Sequence, residues 1–267
     1  MYIRNTCRVN DRIEIEKHYN WNAGAPGINR EDKKNKTPDA VAKQNLINRK
    51  KELRRLMELN FRGGDIHVTL TCRPDERPDM EEAMKVIRAF RNRMRDRYKK
   101  NHWIFKYIIT TETGSRGAVH WHMIVNNMQN DTTSTQKLIW ELWDRGRPYF
   151  VPMDKNREYG QLADYIIKET SKRIAEGKTM EKLSYMCSRN LIRPVVRKKK
   201  IDRRTWKKEP KAPKGWELIK ESVINGVNQY TGLPYQHYNI RKIQDKGGGA
   251  GGAAKHKCLH RYLNQGD

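Results

Sequence analysis

The histidines at positions 120 and 122, separated by one tryptophan, are the residues of this chain best suited to chemistry. On a β-strand, alternate side chains point to the same face, so His120 and His122 would stand about 7 Å apart along the strand. Trp121 would then point to the opposite face, toward a hydrophobic core. Two imidazoles placed in this way offer two nitrogen ligands to a divalent metal ion. The same pattern also fits two histidines on a solvated strand face.

An acidic residue, Glu112, precedes the first of these histidines by eight positions, and a turn is predicted over 113–117. If the strands on either side of that turn pair as a hairpin, Glu112 lies beside or diagonal to His120. Two imidazoles and one carboxylate form a three-ligand site with open positions, which suits Mn²⁺ and tolerates Mg²⁺. Such a site can polarise a phosphate oxygen. The alternative for Glu112 is a surface carboxylate at a strand end.

Tyr165 and Lys168 lie three residues apart in a segment with helical spacing, so they share one helix face. A tyrosine hydroxyl is a poor nucleophile at its ordinary pKa of about 10. A neighbouring ammonium group or a metal-activated phosphate favours attack by the phenolate. Attack on a phosphodiester would leave a 5′-phosphotyrosine bond and a free 3′-hydroxyl. The spacing also fits an amphipathic helix on which the tyrosine packs and the lysine reaches toward water.

Hydropathy patterns and turn signals predict the elements that must hold these residues. Strands are predicted over 66–72, 103–112 and 118–126, with shorter ones near 150–151 and over 188–196. Helices are predicted over 37–60, from Asp79 onward, over 135–143 and over 156–174. This order indicates an α+β fold with a central antiparallel sheet and flanking helices, of the split β-α-β type.

Composition divides the chain into five predicted segments. We expect an irregular basic arm over 1–36, a basic helix over 37–62, the domain with the site residues over 63–200, an extension over 201–245 and a flexible Gly-rich tail over 246–267. Lys and Arg number 56 against 31 Asp and Glu, a net charge of +25 that predicts nucleic acid as the partner. Neither a membrane-spanning run nor a signal peptide is evident, so no membrane partner is expected and a cytoplasmic protein is.

Taken together, these motifs resemble those of the HUH endonuclease superfamily, in which a His-hydrophobic-His strand precedes a Tyr-x-x-Lys helix. More narrowly, the chain is similar to rolling-circle replication initiators of the filamentous-phage and microvirus type over roughly residues 64–243. Residues 66–71 resemble the first family motif, residues 112–125 the metal-binding second motif and residues 165–168 the third. Residues 185–194 resemble the Ser-Arg-rich segment that follows in phage-type members.

The resemblance implies a five-stranded antiparallel sheet with flanking helices, like the RNA-recognition fold, and makes residues 63–200 an HUH endonuclease domain. It implies Tyr165 as the nucleophile and Lys168 as the residue that neutralises the scissile phosphate or assists the tyrosine. It implies a divalent ion, Mn²⁺ or Mg²⁺, on Glu112, His120 and His122. Some relatives carry two tyrosines four positions apart, but position 161 is Gln, so a single-tyrosine enzyme is expected.

The expected function is sequence-specific nicking and joining of single-stranded DNA, which starts rolling-circle replication of a phage, plasmid or mobile element in a bacterial host cell. Its partners would be single-stranded or hairpin origin DNA and, by resemblance, the host helicase and polymerase. A single-tyrosine transposase and a conjugative relaxase share this chemistry, although relaxases usually supply a third histidine in place of Glu112. A non-catalytic single-stranded nucleic-acid-binding module is the alternative of a different class, and it predicts that Tyr165 and the histidines are dispensable.

Overall fold

The computed structural model describes residues 1–19, 38–113, 118–155, 158–175, 185–228 and 231–243 of the 267-residue chain. Two compact units divide it, one built from residues 37–194 and the other from residues 1–36 together with 195–267. The strands of the first unit are β3 (Ile66–Leu70), β4 (Tyr107–Thr113), β5 (Val119–Val125), β6 (Pro148–Pro152) and β7 (Met186–Cys187). Its helices are α1 (Pro38–Asn60), α2 (Met80–Lys100), α3 (Thr135–Leu142) and α4 (Gly160–Ala175). The second unit contains β1 (Tyr2–Val9), β2 (Arg12–His18), β8 (Val196–Ile201), β9 (Trp216–Asn228) and β10 (Leu233–Lys242).

The sheet of unit 37–194 has the strand order β6-β3-β5-β4-β7, and every pair in it is antiparallel. Its four helices were all predicted, and Asp79 caps α2 by accepting a hydrogen bond from the Glu82 amide, as its position before the helix indicated. The α+β architecture with an antiparallel five-stranded sheet is therefore confirmed.

One face of this sheet packs against α2 and α3. Trp121 is fully buried there, and its ring contacts that of Trp143 edge to face at 5.2 Å, so the prediction that it points into a core is confirmed. Phe90 of α2 contacts Trp143 in the same geometry. The other buried residues of this core include Ile66, Val68, Leu70, Ile87, Met94, Ile109, Met123, Leu138 and Ile139.

The opposite face packs against α1 and α4 and carries the candidate functional residues. Ile108 and Ile124 cover one part of it, where they form a core with apolar residues of both helices. The helical contributors are Leu53, Leu56, Met57, Ala163, Ile166 and Ile167. The polar positions of the same strands lie beyond this core, so the helices fix the sheet without covering all of it.

A buried tyrosine joins the first core to the ends of three elements. The Tyr98 hydroxyl lies 2.7 Å from the carbonyl oxygen of Asn126 and 2.6 Å from Thr135 Oγ1, and burial is the main cause that raises its pKa far above the ordinary value. We expect Tyr98→Phe to lower the free energy of unfolding by about 1–3 kcal/mol, because it removes a buried hydrogen-bonding group but little apolar surface. Urea denaturation of this variant measures the loss. The exposed Tyr149 provides a matched control, since its change to Phe should cost less than about 0.5 kcal/mol.

The other unit forms a second antiparallel sheet, with the strand order β8-β1-β2-β10-β9. The prediction of an irregular arm over 1–36 is wrong for residues 2–18, which form β1 and β2 of this sheet. The prediction of a poorly regular extension after 200 is also wrong, because β9 and β10 form a long hairpin there. Three of the four neighbouring pairs in this sheet join β1 or β2 to each other or to a strand from the far end of the chain. Local patterning indicates such distant pairing poorly.

The strand predicted over 188–196 is replaced by two strands in different sheets, β7 before it and β8 at its end. Between them, the Asn60 side chain donates to the Ile192 carbonyl at 2.8 Å and accepts from the Ile192 amide at 2.7 Å. These side-chain bonds take the place of strand pairing, and Pro194 has no amide hydrogen to donate to a ladder. The predicted tail over 246–267 lies outside the described residues. None of the described helices is long and apolar enough to cross a membrane.

Candidate active site

The hairpin of β4 and β5 brings the acidic residue to the histidines. Glu112 pairs directly with His120, and Thr110 pairs with His122, so all four side chains lie on the face that packs against α1 and α4. The sequence predicts this placement because strand alternation and a short connection leave few registers. The turn itself, residues 114–117, lies outside the described residues.

Three potential metal ligands converge at this position. Glu112 Oε2 lies 2.7 Å from His122 Nε2 and 3.2 Å from His120 Nε2. One ligand atom from each residue lies within 4.8 Å of the other two, so a single ion could contact all three. The donor set of two imidazole nitrogens and one carboxylate oxygen suits a divalent transition metal. These residues therefore fit the metal site that the sequence predicts.

The electrostatics of the cluster favour the ionised form of its carboxyl group. Burial by itself raises the pKa of Glu112, but the hydrogen bond with His122 and the nearby His120 lower it, and the net pKa lies below the ordinary value. Glu112 is therefore a carboxylate at neutral pH, which is the form that binds cations.

Tyr165 on α4 reaches the same cluster. Its hydroxyl donates to Glu112 Oε2 at 3.0 Å and lies 3.3 Å from His122 Nε2, while its ring meets the His122 ring edge to face at 5.1 Å. The neighbouring Ile166 and Ile167 are buried in the core under α4 and hold the helix against the sheet. The ring of Tyr165 is 41% exposed, so its hydroxyl stands between the cluster and solvent. A ligand arriving from solvent can thus approach both.

Lys168 follows Tyr165 by one helical turn within α4. Its side chain lies outside the described part of the structure, so the role given to it by resemblance stays a prediction.

Two functional candidates that sequence reasoning did not single out lie behind His122. On β3, Thr69 pairs with His122, and both Thr69 Oγ1 and His67 Nε2 lie 3.2 Å from His122 Nδ1. The rings of His67 and His122 stack with their centroids 5.3 Å apart. Burial, assisted by the charge of His122, lowers the pKa of His67 to about 4, so its ring is neutral at pH 7. The alternation of polar residues along β3 predicts their common face, but only the pairing of β3 with β5 relates that face to the histidines.

These contacts can set which nitrogen of His122 carries the proton. A histidine that gives Nε2 to a metal ion must carry its hydrogen on Nδ1 and donate it to an acceptor. His67 Nε2 and Thr69 Oγ1 are both placed to accept that hydrogen. His67 is a third histidine at the site, but it faces Nδ1 of His122, whereas Glu112 faces Nε2.

The site lies within the part of the chain that resembles known proteins. A family model described as "Replication-associated protein ORF2" matches residues 65–174, a range that runs from the start of β3 into α4. It contains the three potential ligands, both residues behind His122 and the tyrosine. No curated protein and no solved structure matches the chain.

Proposed function

From the match of residues 65–174 to a replication-associated family, we propose that this protein nicks and rejoins single-stranded DNA and thereby starts rolling-circle replication of a phage, plasmid or mobile element. It acts as a single-tyrosine enzyme of the HUH type, on the origin strand or origin hairpin, in the cytoplasm of a bacterial host. Host helicase and polymerase are the partners expected from the resemblance. The net charge of +25 supports a polyanionic substrate.

One observation carries this proposal. The Tyr165 hydroxyl is 3.0 Å from the same carboxylate oxygen that contacts both histidines of the cluster. A phosphodiester that enters from the solvent side could therefore meet the tyrosine oxygen and the three ligands together. Tyr165 Oη would form the new bond to phosphorus, and the bond from phosphorus to the 3′ oxygen would break. The phenol loses its proton in this step, and the released 3′ oxygen takes one up.

The roles of the remaining residues follow from their chemistry. Glu112, His120 and His122 would hold a divalent ion, Mn²⁺ or Mg²⁺, which when bound polarises a phosphate oxygen and reduces the charge that opposes attack. Lys168 would neutralise the phosphate or assist ionisation of the tyrosine. His67 and Thr69 would orient the His122 ring through its Nδ1.

The role of His67 leads to a prediction for metal affinity. We expect His67→Phe, which keeps an aromatic ring beside His122 but removes the acceptor nitrogen, to raise the Kd for Mn²⁺ about 10-fold or more. His67→Gln, whose amide oxygen can accept the same hydrogen, should recover most of that loss. Isothermal titration calorimetry on the DNA-free protein measures both values. Equal Mn²⁺ affinity of wild type and His67→Phe would leave the orienting role to Thr69 alone.

The proposed function is tested by trapping its intermediate. Full-length protein is incubated with Mn²⁺ and single-stranded DNA that carries the origin of its own element, and the covalent product is digested and mapped by mass spectrometry. We expect a 5′-phosphate linked to the peptide that contains Tyr165. An adduct on another tyrosine would overturn the nucleophile, and specific binding without any adduct would favour the non-catalytic binding module.

A further inference from the structure

An exposed aromatic residue and an arginine lie on the same sheet face as the candidate active site. Tyr149 of the edge strand β6 pairs with Thr69 of β3, and Thr69 pairs with His122 of β5. Residues paired across neighbouring strands share a face, so Tyr149, Thr69 and His122 form one row across the sheet. Two interstrand spacings separate Tyr149 from His122, which is about 10 Å.

The environment of Tyr149 is that of a ligand-facing ring. Its side chain is 54% exposed, whereas the next residue, Phe150, turns to the other face and packs against the core under α3. The guanidinium carbon of Arg147 lies 5.7 Å from the centre of the Tyr149 ring, so a planar cation stands over an exposed aromatic. Only Thr69, with its small side chain, separates this pair from His122 within the row.

The cation is held close to the active-site end of the sheet by the backbone. The Arg147 carbonyl accepts a hydrogen bond from Thr71 Oγ1 at 2.9 Å, just beyond the end of β3. Gly146 packs directly against the backbone of Thr71, where any side chain would collide with the carbonyl group. The amide of Arg73 donates to the Arg145 carbonyl at 2.8 Å. The strand that carries Arg147 and Tyr149 therefore cannot drift away from β3.

We propose that Arg147 and Tyr149 form a stacking subsite for an unpaired base of the DNA strand whose phosphate lies at Tyr165. The inference rests on the proposed function and adds to it a direction for the substrate, across the sheet from β5 over Thr69 to β6. Aromatic rings and guanidinium planes stack on any base, and an exposed face receives a base only if it is free of a partner strand. The subsite therefore selects single-stranded DNA and contributes little to the choice of sequence.

Fluorescence anisotropy with a labelled, mixed-sequence single strand tests this subsite in the full-length protein. We expect Tyr149→Ala to raise the Kd about 10-fold or more, and Tyr149→Trp to bind as tightly as wild type or more tightly. Trp140→Ala is the matched control, because Trp140 is 51% exposed and contacts Phe150, which faces the other side of the sheet. Arg147→Gln should also reduce the slope of log Kd against log salt concentration by about 1, whereas Tyr149→Ala should leave that slope unchanged.

A second measurement does not depend on any variant. Strands that carry 2-aminopurine at successive positions are mixed with wild-type protein, and the position that stacks is expected to lose fluorescence, a loss that Tyr149→Ala reverses. Unchanged affinity and unchanged fluorescence in Tyr149→Ala would overturn the subsite, and so would an equal loss of binding in Trp140→Ala. If wild type forms the Tyr165 adduct while Tyr149→Ala binds normally, only the subsite fails. If stacking is observed and no adduct ever forms, only the proposed function fails.

Discussion

Tyr165→Phe is expected to lose the covalent protein–DNA adduct and to lower the rate of origin-strand cleavage by at least about 10³-fold. The substitution removes the one hydroxyl of α4 that lies within hydrogen-bond distance of both Glu112 Oε2 and His122 Nε2 in the described structure. The ring remains, so its edge-to-face contact with His122 should persist. Denaturing gels that separate free from DNA-linked protein measure the adduct, and DNA binding should stay within about threefold of wild type.

Tyr159→Phe serves as the matched control for this variant. Tyr159 precedes the first residue of α4, is buried, and has its hydroxyl 3.4 Å from the Asp154 carbonyl rather than near the cluster. The same atom is removed by the same substitution, so adduct formation should be unchanged. A persistent adduct in Tyr165→Phe would show that another residue attacks the phosphate. Loss of the adduct in both variants would point to a structural effect.

Replacing both histidines of the cluster, His120→Ala with His122→Ala, is expected to abolish Mn²⁺-dependent cleavage. Two of three ligands are lost, so the Kd for Mn²⁺ should rise by at least about 10²-fold. Salt-sensitive binding of single-stranded DNA should persist, because it depends on the many cationic side chains of the chain rather than on the cluster. Calorimetry with Mn²⁺ and anisotropy with DNA separate the two effects.

The control for the double variant is a histidine remote from the cluster. His102 is exposed and adopts a φ of 58°, a conformation that asparagine accepts readily. His102→Asn should therefore leave both metal binding and cleavage unchanged. Cleavage that survives in the double variant at the wild-type Mn²⁺ requirement would remove the metal assignment, whatever the result for Tyr165.

Local features of the sequence were enough to predict the metal cluster. His120 and His122 share a face because strand side chains alternate, and a short connection places Glu112 opposite the first of them. The same holds for the helices of this unit, whose apolar spacing and caps are visible without tertiary information. The signal for the first hairpin was present but overlooked. Asn10 and Asp11 form a two-residue turn between β1 and β2, with Asn10 at a φ of 56°.

Other features follow only from the way in which distant segments meet. His67 and Thr69 lie more than 50 residues before His122, and a polar position on a strand is not informative until the neighbouring strand is known. Tyr149 belongs to the site face because β6 pairs with β3, a relation that no local pattern carries. Likewise, β1 pairs with β8 nearly 200 residues later, so the second sheet was hidden from local reasoning.

The sequence by itself thus determined the chemistry of the site, because residue types and short-range periodicity fix which groups can share one strand or one helix face. Tertiary structure decided how close these groups come to one another. The 3.0 Å contact between Tyr165 and Glu112 joins α4 to β4 across 53 residues, and it depends on how the buried Ile166 and Ile167 seat that helix on the sheet. Packing of this kind is a collective property of the core, and no spacing along the chain encodes it.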